Sequence, residues 1–185
     1  MERPLFWHQG LFLQPQHFQL NDRFIQSLLV PFNKFMIPHF WGVGEQGIQE
    51  SALGNRSFNL QNCEYIFPDH TFVVFPGNAI VEARSFDESW VEGGKPLTVY
   101  AGIRKFNDSG ENVTVLPKLE GISEVSTRFV STADPEEIRD LHQNAPDALV
   151  KRLHYALKIF WETELENAGD YVLVPIAQLI RTGEE

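Results

Sequence analysis

Two hydrophobic periods divide this chain. Phe18, Ile25, Leu28, Leu29, Phe32, Phe35 and Met36 recur three, four or seven positions apart, with Asn21, Asp22, Arg23, Gln26, Ser27 and Asn33 across from them. That stripe predicts one amphipathic helix over residues 15–38. Pro15 suits its first turn, where a missing N–H costs nothing. Pro31 lies inside the pattern and predicts a kink or an end near Val30, and Pro38 closes the region. Residues 1–14 read as extended or looped, because Pro4 and Gly10 both oppose helix.

From Trp41 onward the period shortens to two and turn residues become frequent. Residues 42–49, 55–62, 64–67, 71–75 and 78–86 are candidate strands, with Pro68-Asp69-His70 as a turn between two of them. Leu97, Val99, Ala101 and Ile103 alternate strictly, predicting a strand over 97–104 that pairs as a hairpin with 113–116 across Asn107-Asp108-Ser109-Gly110. Residues 124–131 read as another strand. Asp134-Pro135 could cap a short helix, and the same acidic segment also fits a loop or an edge hairpin. Residues 150–165 fit a strand with Leu153, Tyr155, Leu157, Ile159 and Trp161 on one face, or a helix along Leu149, Leu153, Leu157 and Phe160. A last strand pair, 171–174 and 176–180, is broken or bent at Pro175. The class is mostly β: about eight to ten short strands at sandwich-like spacing behind an N-terminal amphipathic helix. Residues 1–14 form an N-terminal segment, 15–38 the helix and 39–185 the β-sandwich.

Composition sharpens this picture by exclusion. Fifteen Phe and four Trp among 185 residues favour strands, cores and interfaces. A net charge of −10 opposes non-specific binding to nucleic acid or anionic lipid. Cys63 is the single cysteine, so no intrachain disulfide and no cysteine-based metal framework is expected. No run approaches the roughly 18 apolar residues of a membrane span, and only Arg3 precedes the short Leu11-Phe12-Leu13 run, unlike a signal peptide. A cytoplasmic setting is expected. The histidines are scattered without metal-ligand spacing, and no nucleophile elbow or Walker loop occurs. Gly42-Val43-Gly44-Glu45-Gln46-Gly47 matches a dinucleotide fingerprint in letters only. No buried strand precedes it, so turn glycines are expected. Neither catalytic residues, nor a cofactor, nor a metal is expected, and the chain does not read as an enzyme.

One segment exceeds the needs of a fold. Trp7-His8-Gln9-Gly10-Leu11-Phe12-Leu13 carries large apolar anchors in front of the helix start Pro15-Gln16-His17-Phe18-Gln19. Trp7, Gly10, Leu11, Phe12 and Leu13 are the candidate partner interface: aromatic and aliphatic anchors dominate interface energies, and glycine permits close backbone approach. The competing reading is that Leu11, Leu13 and Phe18 fold back and cover a sheet.

The run from Trp7 through Pro15-Gln16-His17-Phe18-Gln19 to Asp22-Arg23-Phe24 resembles the opening of the TssK family, baseplate subunits of bacterial type VI secretion systems. Trp41-Gly42 and Tyr171-Val172-Leu173-Val174-Pro175-Ile176-Ala177 fit the same family. The resemblance implies a β-sandwich similar to the shoulder of siphophage receptor-binding proteins. It also implies a homotrimeric cytoplasmic adaptor, without enzymatic activity, that docks onto the TssF–TssG wedge. A helical neck and a head contacting the membrane-complex proteins TssL and TssM would follow. Family members are more than twice this long, so the chain is expected to hold the shoulder alone, as a truncated form. The resemblance favours strand for residues 150–165. The alternative is a phage-tail-like or carbohydrate-binding β-sandwich whose Trp41, Trp90 or Trp161 stacks on a sugar.

Overall fold

A computed structural model of the chain describes residues 3–6, 8–37, 39–89, 95–139 and 146–181. It comprises two compact units, Met1–Phe40 and Trp41–Glu185.

The first unit is built on helix α1, Pro15–Pro31, with Pro15 in its first turn. The Gln14 backbone N–H donates to His17 Nδ1 at 3.1 Å, so the imidazole satisfies a donor at the helix start. The predicted break at Pro31 takes another form. The helix widens into a π-helical turn over Phe32–Met36, closed by Ile37 N–H donating to Phe32 O at 3.2 Å. Pro31 has no N–H for the Ser27 carbonyl, and the wider register absorbs the gap in the ladder. Pro38 lies outside the described residues.

The second unit is mostly β. Its strands are β1 (Gly42–Ile48), β2 (Ser57–Phe58), β3 (Leu60–Ile66), β4 (Phe72–Phe75), β5 (Ala79–Ile80), β6 (Arg84–Ser85) and β7 (Leu97–Arg104). There follow β8 (Val113–Leu116), β9 (Phe129–Thr132), β10 (Glu136–Ile138), β11 (Ala148–Val150), β12 (His154–Ala156), β13 (Lys158–Trp161) and β14 (Tyr171–Leu179). A helical turn α2, Glu50–Leu53, occupies the connection after β1.

Two sheets share the main core. In order they are β1-β3-β4 and β13-β7-β14. Cys63, Tyr65 and Val73 face inward from the first, and Val99, Ala101, Ile103, Ile159, Trp161 and Val174 from the second. The strict alternation along 97–104 therefore marks the central strand. The strand reading of 150–165 holds for β12 and β13, with Leu157, Ile159 and Trp161 buried, but Leu153 is exposed and residues Glu162–Asn167 turn into a 3-10 helix instead of continuing the strand. The Trp161 ring meets Phe58 and Phe86 edge-on, at 6.4 and 6.1 Å between centroids. The Gln46 side chain joins the two sheets. Its oxygen accepts from Tyr65 O–H at 2.7 Å and its amide donates to Ile176 O at 2.8 Å. A second sheet system, β5-β12-β9-β8, covers a smaller core of Ile122, Val125, Val130 and Ala156.

Arg128 ties these parts together. It is 7% exposed and donates to Arg104 O (2.8 Å), Asp69 Oδ2 (3.0 Å) and Thr71 Oγ1 (2.6 Å). Its guanidinium also lies against the Phe129 and Tyr155 rings.

Several local expectations are corrected. Strand β8 pairs in parallel with β9, not as a hairpin with β7. The glycines of residues 42–47 lie within β1, where register shifts between Val43 and Glu45 and between Gly47 and Ile48 mark bulges. They are strand rather than turn glycines: Gly42 sits at φ +138° with open space around it, while a Cβ on Gly44 would press on Glu64 O and one on Gly47 would collide with Asn62 Oδ1. The 55–62 region is a turn followed by β2 and the start of β3, and 124–131 contributes only its end to β9. The described residues of the 133–148 segment form no helix. They enter β10, which pairs antiparallel with β11, so the edge-hairpin alternative is the observed one. Pro175 bends but does not break β14, which runs on past a bulge between Pro175 and Ala177.

Candidate functional site

The N-terminal segment turns at Gly10, where Leu11 N–H donates to His8 O at 3.3 Å. Gly10 sits at φ +83°, in the left-handed region. No atom lies within 4 Å of where its Cβ would be, so within this chain the glycine meets a torsional need rather than a close contact. The turn presents Phe12, 80% exposed, and Leu13, 52% exposed, while Leu11 is half-buried. Trp7 lies outside the described residues. Phe18, at the helix start, is also exposed.

The apolar surface continues along the helix. Ile25, Leu29, Phe32, Phe35 and Met36 are all exposed, and Ser27 is the buried residue of α1. Sequence periodicity located this stripe. Contiguous apolar surface of this kind marks interaction sites. Phe12 and Leu13 and the helix stripe are both apolar and exposed, and Lys34 lies 5.4 Å from the Phe35 ring centroid.

A second feature is a cleft of about 360 Å³ beside β13, bordered by Glu82, Arg84, Lys158, Phe160, Glu164 and Tyr171. Its charged side chains each have a hydrogen-bond partner. Arg84 and Glu164 make two hydrogen bonds, Nη1 to Oε2 at 2.7 Å and Nη2 to Oε1 at 2.5 Å. Glu82 accepts from Gly121 N–H (2.6 Å) and Ser123 N–H (3.0 Å). Lys158 donates to Ser123 O. Burial alone would raise both carboxyls. The Arg84 hydrogen bonds, the Trp161 N–H and the Arg84 charge reverse this for Glu164, which lies below its ordinary value. The backbone donors around Ser123 do the same for Glu82.

Other chemistry finds little footing. No group of three or more His, Cys, Asp or Glu among the described residues is placed to hold a metal ion. The Cys63 thiol is buried, and that burial pushes its pKa to about 11, which keeps it a thiol. Of the proposed sugar-stacking tryptophans, Trp161 is 0% exposed and committed to the core, Trp41 is 46% exposed, and Trp90 lies outside the described residues. Among the described residues no helix is long and apolar enough to cross a membrane.

By its fold the chain is a mostly β protein with an N-terminal helical unit. The chain belongs to the family described as "Bacterial Type VI secretion, VC_A0110, EvfL, ImpJ, VasE", which matches residues 17–185. The type VI secretion system baseplate component TssK1 of Pseudomonas aeruginosa is 28% identical over 178 residues, 94% of this chain and 37% of that protein. A crystal structure of TssK superposes with a TM-score of 0.80 at 17% identity, covering 99% of this chain and 40% of the other. A cryo-electron microscopy structure of a type VI secretion TssK–TssF–TssG baseplate subcomplex gives 0.80 at 20% identity, covering 100% and 58%. The resemblance to TssK and the mostly β class are thus borne out, and the chain spans well under two-thirds of each of these relatives.

Proposed function

We propose that this chain is the shoulder part of a TssK-type baseplate adaptor, a structural rather than catalytic protein. Residues 1–14 form its docking segment, 15–38 a supporting helix and 39–185 the sandwich. The occupant of the docking segment is a TssF–TssG wedge, with Trp7, Gly10, Leu11, Phe12 and Leu13 as the contact residues. The observation that carries this reading is the exposure of Phe12 and Leu13 in a family whose solved relatives include a TssK–TssF–TssG subcomplex. Aromatic and aliphatic groups held out in water gain most from a partner pocket. In this reading the protein acts in the cytoplasm. In a longer form it is a homotrimer that reaches TssL and TssM through the parts its relatives have beyond this domain.

The test is calorimetric titration of the wedge with native chain and with Phe12→Ala and Trp7→Ala. Each substitution is expected to weaken binding by about 1–3 kcal/mol with the far-UV spectrum and melting unchanged. Equal affinity for both variants would remove the docking role from this segment.

A further inference from the structure

We draw no further inference here: the strongest candidate, the exposed apolar stripe through Phe18, Ile25, Leu29 and Phe32 on α1 and the π-helical turn after it, carries nothing because no feature of the structure shows what covers it.

Discussion

Arg128 shows how much of this fold one side chain can hold. A guanidinium that is 7% exposed needs its donors satisfied, and it finds Arg104 O on one segment and Asp69 and Thr71 on another. Replacing it with Met leaves the Arg104 carbonyl and the Asp69 carboxylate without that partner. Breaking a fully buried pair costs about 3–5 kcal/mol. The Asp69 side chain is 33% exposed, so a loss of about 2 kcal/mol is expected, seen as a lower urea midpoint at unchanged slope. Glu164 gives a second prediction. Its carboxyl titrates below the ordinary 4.5 in the folded chain. Its contribution to stability is therefore complete above that unfolded value and is lost as pH falls from there through the folded value. Glu164→Gln is expected to flatten the acid limb of a stability–pH curve below 4.5 and to leave its neutral-to-alkaline part without added slope. An unchanged acid limb would show that Glu164 is not linked to folding.

At the level of elements, α1 and β7 are opposites. Strand β7 has neighbours on both sides and buries Leu97, Val99, Ala101 and Ile103. Helix α1 has sound local chemistry, with Pro15 and His17 at its start, but leaves its apolar stripe in water. Helices of this length draw most of their stability from packing of such a stripe. In the chain alone, α1 amides are expected to exchange orders of magnitude faster than those of β7, and to slow when the wedge is added. Hydrogen exchange read by mass spectrometry checks both statements. Protection of α1 equal to that of β7 without any partner would contradict them. Local pattern located both elements because periodicity is a property of neighbours in sequence. It misplaced β8 because a parallel pairing with β9 is made by residues 113–116 and 129–132, and the shorter hairpin was the local choice.

At the scale of the whole molecule, a net charge of −10 sits beside an apolar N-terminal strip. Binding through such a strip gains little from Coulomb attraction. The wedge affinity lost in Phe12→Ala is therefore expected to be similar at low and high salt, whereas a charge-driven contact would weaken with screening.

The sequence by itself determined the helix start at Pro15, the alternation of β7, the mostly β class and the resemblance to TssK. Each rests on residues close together in the chain. Only the tertiary structure decided that the Gly42–Gly47 run is a bulged strand, and that Arg84 and Glu164 meet across the β13 edge. The physical reason is separation. Arg84 and Glu164 lie 80 positions apart, and neither carries any mark of the other until the sheets stack and bring them together.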